Sequence, residues 1–306
     1  MGTMMNEAGG ISKMVKIPDS WSDREPKNIS PKRQALCFHK AFHQELTERG
    51  FFCVSDRLPE EKRPSAQTLV DLCRYYRPVG RDLLQIVDGS LTQVSDALDN
   101  NGVFSRYLGT GGHIGVNVFS LFERFAARFP PFGYGYGVSQ QRIVRFQFPG
   151  MEKDWCNSFL NLFRDDFSYA MELEKQLFFE ETLPWLDQMT TPEKHAQWRM
   201  ETFSKYFRKD RGAKNALWSQ LKLRRWEVAN TCIQAYFDSL EELGLKGKFI
   251  SPELKEEMAF YESIRQAIAR EDTAYIDQIL EENKKKNLAV LASVSKGINW
   301  KQIIYP

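Results

Sequence analysis

Histidine is scarce in this chain, with four in 306 residues, so few side chains can titrate near neutral pH or complete a metal shell. Cysteine is little more abundant: Cys37, Cys53, Cys73, Cys156 and Cys232 are odd in number, scattered, and lack the CxxC or Cys/His spacing of a structural zinc site. They read as free thiols in a reducing compartment. No uninterrupted apolar run of membrane-spanning length is present. The longest stretch without Lys, Arg, Asp or Glu, Tyr107 to Phe122, is broken by Gly109, Gly111, Gly112, His113, Gly115 and Asn117. The opening MGTMMNEAGG carries Asn6 where a myristoylation signal needs Ser or Thr, and no apolar core of a secretory signal. These absences point to the cytoplasm, or to the cytoplasmic face of a membrane reached through a partner.

Neither sign of charge predominates, with 42 basic and 40 acidic residues. A formal net charge of +2 makes no global field for polyanions, so any such attraction must come from local clustering. No GxSxG elbow, HExxH motif, P-loop or kinase set occurs. The paired acids Asp165-Asp166 and Glu180-Glu181 are adjacent, which on a helix sends each pair to different faces. The expectation is a protein without catalytic residues, bound metal or cofactor.

What is present is apolar surface, with 42% hydrophobic and 27% charged residues, enough for a real core in one large or two ordinary lobes. The first 30 residues lack periodicity and read as an arm. Helices are predicted from Ser30 to Gly50 on the Leu36, His39, Phe42, Leu46 stripe, from Ser65 through Tyr76, over Ser90 to Leu98, and from Val116 to Phe129. Phe51 to Ser55 suits a short strand or buried turn. These form an N-terminal helical lobe (31–129) with a minor β element. Residues 130–150 are a connector rich in Gly, Pro and Tyr, in which Arg142 to Phe148 alternates like a strand.

Residues 151–293 predict a C-terminal antiparallel helical bundle or solenoid-like stack. Its helices run from Asp154 to Phe179, from a Thr191-Pro192-Glu193 start, along a single run from Lys214 to Leu243, from Ser251-Pro252-Glu253, and from Asp272 to Asn283. The fold class is therefore mainly α, closed by an aromatic tail (294–306).

Three clusters carry chemical interest. Cys37, His39, His43 and Glu45 share a stretch in which the two histidines, four apart, occupy one helix face; two ligands do not make a site, and packing is the ordinary role of such a pair. The run from Gly109 to Gly115, entering a helix near Val116, would aim backbone amides at an anion, but it lacks the Lys-Ser/Thr of a Walker loop and the strand of a Rossmann unit. Tyr134 and Tyr136 alternate with glycines in a loop suited to interface contacts or to a hinge.

The most distinctive segment is Phe203 to Trp226. It holds Lys205, Arg208, Lys209, Arg211, Lys214, Lys222, Arg224 and Arg225 against one acid, Asp210, and interleaves them with aromatics. It reads as a basic helix-turn-helix around Gly212 that docks a protein partner, with Tyr134, Tyr136, Trp300 and Tyr305 as further contact residues. The resulting expectation is a non-enzymatic adaptor or accessory subunit of a larger assembly, such as the motif-free helical subunits of secretion or conjugation machines. The alternative is a nucleic-acid-binding module using the same cations on phosphates. Carboxylates of the acidic C-terminal helices can also neutralise the segment internally.

Overall fold

A computed structural model of the chain describes residues 3–5, 11–16, 31–58, 74–89, 111–112, 115–124, 144–147, 155–156, 160–161, 175, 178–203, 209–242, 250–294 and 297–306. The strands are β1 (Thr3–Met5), β2 (Ile11–Lys16), β3 (Phe52–Cys53), β4 (Arg74–Val79), β5 (Leu83–Asp88), β6 (Gly111–Gly112), β7 (Gly115–Ser120), β8 (Val144–Gln147), β9 (Trp155–Cys156) and β10 (Leu160–Asn161). The α-helices are α1 (Pro31–Glu48), α2 (Val54–Arg57), α3 (Leu183–Gln188), α4 (Pro192–Phe203), α5 (Lys209–Lys222), α6 (Trp226–Glu242), α7 (Pro252–Ala269), α8 (Thr273–Val294) and α9 (Trp300–Ile304). A π-turn, Phe178–Thr182, leads into α3. The described protein is mainly helical, with a minor β component.

By packing, the chain forms two units that interleave in sequence. One takes Met1–Arg77, Gln85–Asn117 and Phe132–Asp187; the other takes Pro78–Leu84, Val118–Pro131 and Gln188–Pro306. In the first unit, β1, β2, β8 and β9 form a sheet in that order, with β2 and β8 parallel, and β6 pairs with β10. A further sheet has the order β3-β4-β5-β7, in which Cys53 stands opposite Tyr75. The first unit's core collects Phe38, Phe42, Phe51, Tyr75 and Tyr76, with the Phe38 and Phe42 rings stacked at 4.4 Å. In the second unit α5 to α8 pack around Leu217, Trp218, Leu221, Ile233, Tyr236, Tyr261, Ile264 and Leu280, joined by Phe122 from the 118–131 segment. Short links between successive helices make this the expected bundle.

Three helices of the two units end in the same way. Gly50, Arg224 and Glu271 have φ of 82°, 58° and 57°. Each sits where a Schellman turn needs a left-handed residue: Phe51 N–H reaches Leu46 O, Arg225 N–H reaches Gln220 O, and Asp272 N–H reaches Ala267 O, at 3.0, 3.0 and 2.9 Å. Asp272 then caps the next helix, accepting from Tyr275 N–H at 3.0 Å. Ser251 caps α7 as its sequence predicts, by accepting from Leu254 N–H at 3.3 Å.

Several elements differ from the sequence expectation. The single helix over Lys214 to Leu243 is broken at residues 223–225, because Arg224 adopts the left-handed turn without a glycine to announce it. Gly212, expected in a turn, lies inside α5. The helix predicted through Tyr76 is strand over 74–76, and Gly115 to Ser120 is strand where a helix from Val116 was expected. Both stretches are rich in aromatic or β-branched residues; β4 pairs with β5 across the short turn at 80–82 and with β3, while the partner of β7, β5, is remote in sequence. Within the helix predicted over Asp154 to Phe179, residues 155–156 and 160–161 are strands. Strands also occur in the expected arm. The strands at Phe52–Cys53 and Val144–Gln147 match expectation, while the helix over Ser90 to Leu98 lies outside the described residues.

Candidate functional site

The second unit contains a cavity of about 760 Å³. One wall is the turn after β4, where Gly80 has φ +58° and its Cα packs so tightly that an added Cβ would lie 2.9 Å from Thr190 O. Asp82 follows with φ 72°, and its carbonyl accepts from Leu121 N–H at 2.9 Å, which ties the turn to the segment after β7. The Asp82 carboxylate meets Lys284 Nζ at 3.0 Å and accepts a hydrogen bond from Tyr305. Burial opposes the Lys284 charge, yet bonds to Tyr305 and Asp82 outweigh it and hold its pKa above the ordinary lysine value. Burial, then the bond to Asp82, pushes the Tyr305 phenol up to about 12.

Arg81, Lys222 and Lys284 all line the cavity, against Asp82 as its only carboxylate side chain. Lys222 Nζ lies 3.9 Å from the centroid of Phe122, and Lys284 Nζ 5.5 Å from the same ring. The π-system of Phe122 thus attracts both ammonium groups. Asp82 is already engaged, so the cavity has a cationic excess carried by Arg81 and Lys222, neither of which has a carboxylate partner among the described residues.

Beneath it lies a buried polar network. His195 Nε2 is 3.0 Å from Val118 O, and its Nδ1 is 3.1 Å from Ser219 Oγ. Arg199 Nε also donates toward His195 Nε2 at 3.2 Å, and the Ser219 hydroxyl, able to donate or accept, satisfies Nδ1 in either tautomer. Glu123 Oε1 is 3.5 Å from His195 Nε2 and accepts from Arg199 at 2.7 and 3.2 Å. Burial, reinforced by the Arg199 charge, keeps the imidazole well below its usual pKa and neutral, while burial raises Glu123 against the pull of Arg199. Nearby, Asn283 and Asn287 of α8 donate to the carbonyls of Phe122, Leu121 and Glu123 at 3.0, 2.6 and 2.8 Å.

Ser219, His195 and Glu123 stand in the order of a nucleophilic triad, but two features oppose that chemistry. Arg199 consumes the carboxylate that would stabilise an imidazolium, and Ser219 sits inside α5, where the neighbouring N–H groups close the helix rather than an oxyanion hole. The arrangement suits a polar lock between α4, α5 and the 118–123 segment.

The sequence-predicted contact residues have different fates. Lys214 pairs with Glu257 at 2.8 Å and Arg224 with Asp277 at 2.6 Å, so these two cations are matched by acids of the C-terminal helices. Arg225 is exposed. Lys205, Arg208, Tyr134, Tyr136 and the side chains of Lys209 and Arg211 lie outside the described residues. Trp300 is buried and donates from its indole nitrogen to Leu291 O at 3.1 Å, an inward anchor for α9 and not an exposed contact. Tyr305 lines the cavity. The glycine run does not enter a helix: Gly111–Gly112 pairs with Leu160–Asn161 and Gly115 opens a strand, which removes the helix start that the weighed anion-binding reading required.

Sequence reasoning missed Asp82, Glu123, His195, Arg199, Ser219 and Lys284. The one local signal was His195 followed four residues later by Arg199, two polar groups on one face beside Ala196 and Trp198, which are buried. Comparison with protein-family models, with curated proteins and with solved structures returns no match. No helix among the described residues is long and apolar enough to cross a membrane.

Proposed function

We propose that the protein is a non-enzymatic adaptor or accessory subunit of a larger assembly, working in the cytoplasm or on the cytoplasmic face of a membrane complex, and that it grips an acidic segment of a protein partner in the basic cavity of its second unit. The carrying observation is the collection of Arg81, Lys222 and Lys284 in one cavity with Phe122, whose one acidic side chain, Asp82, is already bonded to Lys284 and Tyr305. A partner's Asp or Glu entering there exchanges water for charge-assisted hydrogen bonds in a recess where field lines are focused. Internal pairing of Lys214 and Arg224 shifts the emphasis within the basic segment from a continuous stripe to this recess.

The test is a comparison of two charge reversals in the full chain. Partners co-purified from the native host and identified by mass spectrometry should be lost with Arg81→Glu/Lys222→Glu and kept with Arg225→Glu. Retention of the same partners by the cavity variant overturns the reading. Salt-sensitive DNA or RNA binding that the cavity reversal abolishes, with protein partners kept, would establish the nucleic-acid alternative in its place.

A further inference from the structure

The first unit brings together two of the few histidines and one of the few cysteines. On α1, His39 and His43 lie one turn apart with ring centroids separated by 4.4 Å. Cys53 arrives at the end of β3, and the ligand atoms of His39, His43 and Cys53 all lie within 4.8 Å of one another. Asp56 Oδ1 is 3.9 Å from His43 Nε2. The loop is fixed from both sides: Asp56 Oδ2 accepts from Cys53 N–H at 2.7 Å, and Cys53 Sγ lies 2.8 Å from Ser55 Oγ.

Tyr75 supplies the orientation. The β3/β4 register sets it directly opposite Cys53, and its hydroxyl lies 2.8 Å from His39 Nδ1 and 3.2 Å from His43 Nδ1. One phenol therefore addresses the same nitrogen, Nδ1, of both rings, so a metal held by both would take Nε2 of each. Metal-bound imidazoles are held in this manner by an oxygen on the far nitrogen. With both rings metallated at Nε2, each carries its proton on Nδ1, and the two lone pairs of the Tyr75 oxygen accept both.

We propose that His39, His43 and Cys53 bind one divalent metal ion, with zinc the best chemical fit, Asp56 or water as fourth ligand, and Tyr75 as positioning residue. Two imidazoles and a thiolate are a borderline-soft donor set that selects zinc over magnesium or calcium. Bond lengths near 2.0 to 2.3 Å require donors about 3.3 to 3.7 Å apart, so the three must close by about 1 Å, within reach of small side-chain rotations. On binding, the thiol proton passes to solvent and the sulfur–metal bond takes its place. Cys53 is buried while His43 is about one-third exposed, which gives the ion a protein-facing side and an entry path from water.

The experiment uses the full chain, stripped with chelator, kept reduced without added thiol, and titrated with cobalt(II) and then zinc(II). One equivalent of cobalt should produce a thiolate-to-metal charge-transfer band with tetrahedral visible bands, and zinc should displace it. Cys53→Ser should abolish the charge-transfer band, whereas Cys37→Ser should leave it intact. His43→Gln, at a partly exposed position that leaves the core untouched, should weaken cobalt binding at least about 100-fold, and Tyr75→Phe about 10- to 100-fold. Circular dichroism of each variant separates lost ligation from lost folding. Absence of the thiolate band in the wild-type chain, its survival in folded Cys53→Ser, or unchanged affinity in folded His43→Gln overturns the assignment.

Discussion

The histidines of the two units are held in opposite ways. His195 is enclosed, with both ring nitrogens facing protein groups: Val118 and Glu123 on one side and Ser219 on the other. His39 and His43 are half-buried, share one phenol, and stand beside the Cys53 thiol, with the Asp56 carboxylate 3.9 Å from His43. The contrast shows what separates a structural imidazole from a ligand-ready one. Saturation by the protein leaves no lone pair for chemistry, whereas orientation from one side leaves the other side addressable.

Removal of single groups should expose this difference in order of size. Arg199→Met is expected to cost most, about 3 to 5 kcal/mol by urea denaturation, because it leaves Glu123 buried without its counter-charge. Should the loss fall below about 1 kcal/mol, the second-unit network is not the lock described.

Acid should act next. Folded His195 stays neutral, while the unfolded imidazole takes up a proton below its ordinary value near 6.5. The unfolded state then binds more protons, so the stability His195 confers is present above that pH and is lost as pH falls. As pH falls below about 6.5 the stability difference between wild type and His195→Gln should shift against wild type, with a limiting slope of about 1.4 kcal/mol per pH unit. A flat difference would show that the imidazole titrates as an exposed one does.

Ser219→Ala should cost about 1 to 2 kcal/mol, since it leaves His195 Nδ1 buried without its hydrogen-bond partner. Tyr75→Phe should cost least in the metal-free protein, about 0.5 to 1 kcal/mol by the same measurement, because water can reach the partly exposed imidazoles it releases. A larger loss for Tyr75 than for Ser219 would reverse the comparison between the two units.

Much of the helical half was legible. Thr191-Pro192-Glu193 and Ser251-Pro252-Glu253 mark true helix starts, and Gly50 marks a true end, since caps and left-handed glycines are local chemistry. Arg224 and Glu271 adopt the same left-handed turn without the residue that advertises it, so one break, at 223–225, was missed. The strands at 74–79 and 115–120 were read as helix for a related reason: their short apolar patterns fit either period, and ladder partners decide between them, the neighbouring 83–88 strand for the first and the same, distant strand for the second. The candidate sites were least legible. Asp82 and Lys284, or Cys53 and His39, are joined by folding alone, and no spacing along the chain signals either pair.

By itself the amino-acid order determined that this protein would be mostly helical, where several helices begin, and that its cations would concentrate in one stretch, because periodicity, capping and composition act over a few residues. Only tertiary structure decided which of those cations meet acids, which histidine is enclosed in a polar network, and that a thiol would stand beside two imidazoles. Burial and hydrogen-bond partnership are set by contacts between distant segments, and those contacts convert the same side chain from packing into a site.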